Sequence, residues 1–286
     1  MLKLEFKRYL FSKSTVVFLV VITAINAVSW GSSLYEQSMF LEQNLRFTAE
    51  SGGDSLYIVY NGWTFLYNLW FNSGTAPLTI YFVYAWLGVV LTSRIFVEQA
   101  NRFGNLVITR QRYKKRFHTI LLAQSLYIMN LVGAYILISF IGSLVLGGIP
   151  TEATPVGVAI YGWREWVGIS ILQFLWLSIA FISVNSFCLL LNQWIKQKHL
   201  LQILPFFLFV IVPAILWSTT FNLTPVLFNF VSNFNNTEMT MDAFGFFFQD
   251  WGIGHFFRSA QTAITTIILT VILYPLHLKK GAKDYL

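Results

Sequence analysis

RIFVEQANRFGNLVITRQRYKKRFH, residues Arg94–His118, is the stretch on which the reading of this chain turns. It holds seven of the nineteen Lys and Arg residues, and a long apolar segment lies on either side of it. Lys and Arg beside hydrophobic spans concentrate on the cytoplasmic face of a membrane. The stretch therefore sets an orientation, and it is the largest charged surface offered to a soluble partner.

The composition agrees with a membrane setting. The 286 residues are 56% apolar and only 11% charged, against about 25% charged in soluble domains. Several segments exceed the roughly 18 apolar residues at which a transmembrane helix becomes the default. The expected class is an all-α polytopic membrane protein. A net charge of +7 would suggest nucleic acid in a soluble chain. Here it reads as charge held against membrane lipid, with no nucleic-acid partner. Cys188 is the one cysteine and lies in an apolar run, so it offers neither an intrachain disulfide nor a thiolate metal site.

Working outward, six spans are expected at about 15–30, 76–92, 119–147, 166–191, 200–218 and 259–278, in one transmembrane domain over 1–286. Residues 1–13 place Leu2, Phe6, Tyr9 and Leu10 on one helical side, with Lys3, Glu5, Lys7 and Arg8 largely off it. That pattern suits an interfacial helix, the alternative being a plain basic flank. Residues 16–29 lack a small-x-small cleavage site, so the first span reads as retained.

The outer loops are expected at 31–75, 148–165 and 219–258. SLYEQSMFLEQNLRF has helical spacing and is broken by Ser51-Gly52-Gly53-Asp54. Residues 57–71 and 243–257 are aromatic and short, reading as interfacial or re-entrant helices. Gly147-Gly148-Ile149-Pro150 ends the third span, which is long enough to tilt or project. Pro205 and Pro213 predict a kink or a local change of turn in the fifth.

Charge tests this topology. With both termini cytoplasmic, the inner segments hold sixteen of the nineteen basic residues, leaving only Arg46, Arg164 and Arg258 outside. Nine of the twelve acids fall outside, which agrees but weighs little. An odd number of spans would put either 94–118 or the tail on the wrong side.

Catalytic motifs are missing. GxxxxGK[ST] and HExxH are absent, and His118, His199, His255 and His277 are far apart in sequence. No nucleophile stands in a Gly-x-Ser-x-Gly setting. No enzyme activity, metal or bound cofactor is expected of the chain itself. No acid or base falls in the middle of a span, whereas a coupled carrier usually needs one there, or a broken helix. The milder polar groups at depth are Asn26, Gln124, Asn130, Gln173, Asn185 and Gln261. Two roles stay open for them: interhelical hydrogen bonds, or a substrate pathway. Gly133, Ser139, Gly142, Ala180 and Ser183 are small enough to let helices approach closely.

Within 94–118, Glu98 and Gln99 open the stretch, Gly104 interrupts it, and Leu106, Val107 and Ile108 form an apolar patch. Arg110, Arg112 and Lys114–Arg116 then return it to the third span. A basic flank needs only the charge. The Glu, the Gly and the apolar triplet fit a short helix that docks in a groove of another protein.

These residues, with the six spans, the N-terminal interfacial helix and the long last outer loop, resemble the membrane subunit of an ABC-2-type ATP-binding cassette exporter, with its type V exporter-like fold. The likeness covers nearly the whole chain. The family's loose signature of a Glu, a Gly, an apolar pair or triplet and a basic segment maps onto Glu98, Gly104, Leu106–Ile108, Arg110 and Arg112. Thr109 stands where the family usually has Pro.

The resemblance implies a half-transporter in the bacterial cytoplasmic membrane. It would pair with a second permease copy, identical or paralogous, and with a cytoplasmic ABC ATPase subunit that holds ATP and Mg²⁺. Residues 96–109 would be the coupling helix, 2–12 the connecting helix and 243–257 the outer re-entrant helices. The cargo class it implies is amphipathic, an antimicrobial peptide or lipid-like compound, in export or immunity. The competing readings are a secondary transporter and a membrane immunity protein that works without an ATPase.

Overall fold

The computed structural model describes residues 2–51, 62–71, 79, 82–90, 113–148, 154–156, 159–161, 163–192, 194, 195, 197–211 and 266–280. They are nearly all helical. In chain order the elements are α1 (Leu2–Leu10), α2 (Lys13–Ser51), α3 (Gly62–Phe71) and α4 (82–90), then α5 (Tyr113–Gly147). After them come β1 (Thr154–Val156), β2 (Ala159–Tyr161), α6 (Trp163–Leu191), α7 (Lys198–Phe206) with a π-helical turn at Phe207–Ile211, and α8 (266–280). Among the described residues, three helices are long and apolar enough to cross a membrane: Lys13–Gln43, Lys114–Gly147 and Ser170–Leu191.

Local chemistry explains the boundaries. Phe11 and Ser12 separate α1 from α2, with the Phe11 N–H donating to Lys7 O at 3.0 Å. Ser12 caps α2, its Oγ accepting from the Thr15 N–H at 3.3 Å, which satisfies an otherwise orphaned first-turn donor. α5 ends where the sequence predicts: Gly148 takes φ +72°, a left-handed conformation that closes a helix at little cost only for glycine. Pro205 has no N–H to give the carbonyl four residues back. The Phe207 N–H then reaches both Ile203 O and Leu204 O, and the chain loosens into the π-helical turn. Pro213 lies outside the described residues.

The helix that carries the first expected span, 15–30, continues beyond it: α2 runs unbroken for 39 residues to Ser51. Hydropathy falls after Trp30, but backbone hydrogen bonding does not depend on apolar side chains, and the helical spacing of 34–45 belongs to the same helix. The all-α expectation misses a small antiparallel hairpin in the 148–165 loop, pairing Thr154 with Tyr161 and Val156 with Ala159. Its three-residue strands are rich in β-favouring residues and too short for a periodic signal to stand out.

The helices are packed in alternating directions around α5. α2 runs parallel to it: Thr15 meets Tyr127, Asn26 meets Ser139 and Trp30 meets Ser143. α4 and α6 run antiparallel to it. Thr79 and Tyr135 line one pocket while Val90 O meets Gln124, and Phe174 faces Gly133 while Asn185 meets Gln124. α7 starts beside α4, with Gly88 against the Gln202 backbone. α8 returns to the start of α5, where Phe117 lies 4.4 Å from the His277 ring. One end of the bundle therefore gathers α1, the first turns of α5, the end of α6 and the end of α8; we call it the basic end. The opposite end holds Trp30, the Gly62 end of α3 and Gly148.

Candidate functional site

The chemistry concentrates at the basic end. α1 does not lie free on a surface; Glu5 and Tyr9, four residues apart, face inward and are buried. The expected apolar face packs inward, with Leu2, Phe6 and Leu10 half-buried beside Tyr9, and Glu5, expected off that face, joins it; Leu4 and Phe11, which are not on it, are exposed. A carboxylate takes the inner position because a cation waits there. Arg116 Nη1 donates to Glu5 Oε1 at 3.3 Å, and both side chains are nearly fully buried. Such a pair tolerates burial only while both charges are present.

A second layer continues inward from this pair. The Tyr9 and Tyr127 rings stack with centroids 5.5 Å apart. Thr15 Oγ1 donates to Tyr9 O at 2.9 Å and lies 2.9 Å from Tyr127 Oη. Gln124, fully buried on α5, donates through Nε2 to Tyr9 Oη at 3.2 Å and toward Val90 O at 3.4 Å. Its Oε1 accepts from Asn185 Nδ2 at 3.0 Å. One amide side chain thereby ties α1, α4, α5 and α6 together. Interior hydrogen bonds of this kind are individually modest, roughly 0.6–2 kcal/mol in a membrane, but they hold the helices in one register.

α8 closes the same end. His277 Nδ1 lies 2.9 Å from Leu190 O, and His118 Nε2 and Tyr274 Oη are hydrogen-bonded with their rings stacked. Lys280 stands 5.2 Å over the Trp194 ring, a cation–π contact that joins α8 to the turn after α6.

The sequence-predicted residues separate clearly. Gln124 and Asn185 meet in the network. Asn26 is fully buried farther along α5, donating to Ser139 Oγ at 3.1 Å. Asn130 does not join them: it is exposed, and its Nδ2 returns to Leu126 O of its own helix at 2.8 Å. Glu98, Gly104, Leu106, Val107, Ile108, Arg110, Arg112 and Gln261 lie outside the described residues. Sequence reasoning missed Glu5, Tyr9, Thr15, Arg116 and Tyr127 as partners. One signal was present: Glu5 is the only acid before Glu36, an isolated carboxylate in an otherwise basic and apolar segment.

Among the described residues no three His, Cys, Asp or Glu side chains are grouped to hold a metal. Cys188 is buried in the packed core. The start of α5 is thus joined to α1 by an ion pair and to α6 by an amide. No family model matches the chain, and no curated protein or solved structure matches it either.

Proposed function

We propose that the chain is the membrane subunit of an ATP-driven exporter of the ABC-2 type, moving an amphipathic cargo such as an antimicrobial peptide or lipid-like compound. ATP and Mg²⁺ are held and ATP is hydrolysed by a separate cytoplasmic ABC ATPase, and a second permease copy completes the pathway. In this reading the chain crosses the bacterial cytoplasmic membrane six times with both termini inside. Residues 96–109 dock on the ATPase through Glu98, Gly104 and Leu106–Ile108, with Arg110 and Arg112 beside them.

The observation that carries the reading is the clamp at the base of α5. The basic stretch 94–118 runs directly into Arg116, and Arg116 is ion-paired to Glu5 of the N-terminal helix. A pull on the stretch is delivered to α1 at once, then to α4 and α6 through Gln124. The alternating helix directions, with four basic segments assigned to one end, support the six-span topology.

The test is co-purification. A Walker-motif ATPase encoded beside this chain should purify with it, and replacing Leu106, Val107 and Ile108 with Asp should abolish that association. Association that survives the triple substitution removes the docking assignment. If no ATPase partner is found and cargo still moves, the exporter reading gives way to a transporter working alone.

A further inference from the structure

A groove of about 440 Å³ lies between the start of α1 and the first turns of α5, lined by Leu2, Lys114, Lys115, His118, Thr119 and Leu122. We propose that it is a binding site for one anionic phospholipid, its phosphodiester between Lys114, Lys115 and His118 and one acyl chain along Leu122.

Three observations favour that occupant. The first is uncompensated charge. Glu5, the carboxylate of α1, is turned inward and neutralised by Arg116. Lys114 and Lys115 are left exposed, with no ion pair among the described residues. The second is amphipathy. The groove changes from cations through the Thr119 hydroxyl to Leu122, which is 49% exposed. The third is depth. α5 has 35 residues, about 50 Å of helix, against a hydrocarbon core of roughly 30 Å. With the surplus shared between its two ends, its basic first turns would stand at headgroup level and Leu122 near the start of the acyl region. Basic pockets between membrane helices recognise phosphate headgroups by this combination. A soluble anion would use the cations but gain nothing from Leu2 and Leu122.

The proposal rests on membrane embedding and is independent of the exporter reading. Its test is native mass spectrometry of the detergent-solubilised full chain, titrated with phosphatidylglycerol, with phosphatidylcholine of the same chains, and with glycerol phosphate. The expected result is one tightly held phosphatidylglycerol per chain, weakened roughly tenfold to thirtyfold by Lys114→Gln with Lys115→Gln. The charge-matched control, Lys13→Gln with Lys198→Gln, should leave it unchanged. Equal retention of phosphatidylcholine would overturn the proposal, as would equal loss in the control. Glycerol phosphate binding as tightly as the lipid would make the groove a soluble-anion site. A circular dichroism melt of each variant separates lost binding from lost folding. Should the double variant fail to fold, Leu122→Asn serves instead, and must weaken phosphatidylglycerol while sparing glycerol phosphate.

Discussion

The two ends of the α2–α5 contact are held by different means. At the basic end the helices meet through hydroxyls, an amide and an ion pair carried in by α1: Thr15 on Tyr127, Gln124 on Tyr9, Arg116 on Glu5. At the opposite end they meet by shape. Gly142 lies under the Trp30 indole so closely that an added Cβ would collide with the ring, while the indole Nε1 reaches Ser143 Oγ at 3.1 Å. Small residues let membrane helices close up where dispersion provides most of the attraction. Polar networks instead fix which helices meet and at what height.

Substitutions can break or sharpen this contrast. The largest effect is expected from Glu5→Ala, which removes the carboxylate paired with the buried Arg116 and should cost about 3–5 kcal/mol. Glu5→Met combined with Arg116→Leu should recover most of that loss, read by tryptophan fluorescence during denaturant titration in detergent. If the double variant is as weak as the single, the ion pair does not couple α1 to α5. Gln124→Leu removes partners from Tyr9 and Asn185 and should cost about 1–3 kcal/mol. Its more telling readout is protease sensitivity of α1, which should rise while the Trp30 end stays protected.

At the opposite end Gly142→Val drives a side chain into the indole and should cost about 1–3 kcal/mol. Pairing it with Trp30→Ala should restore part of the loss, and strict additivity in that double-mutant cycle would show that the two residues do not share a contact. The smallest effect is expected for Asn130→Leu, within about 0.5 kcal/mol, since its amide bonds only its own helix. A large stability loss there would place Asn130 in an interface that a single chain does not display.

Particular residues show how far the sequence could be read. Gly147-Gly148 marked the end of α5 and Pro205 the change of turn in α7, because each is a local backbone effect, while the end of α6 at Leu191 showed as the end of an apolar run. Asn26, Gln124 and Asn185 stood out because an amide in an apolar run is costly unless bonded. Their sorting was not legible: Asn130 looks the same in sequence and faces outward. Gly88 was passed over inside WLGVV, although the Gln202 backbone of α7 approaches it so closely that no Cβ fits. An apolar run gives no sign of which glycine another backbone will cross.

By itself the sequence determined the membrane character, the helical class and several helix ends, all of which depend on composition or on neighbours a few positions away. Only the tertiary structure decided that Glu5 turns inward, that Arg116 leaves the basic cluster to meet it, and that Gln124 serves four helices. Those outcomes depend on which charge and which amide come within about 3 Å of each other across 34 to 115 residues of chain, and a buried polar group left without its partner is costly.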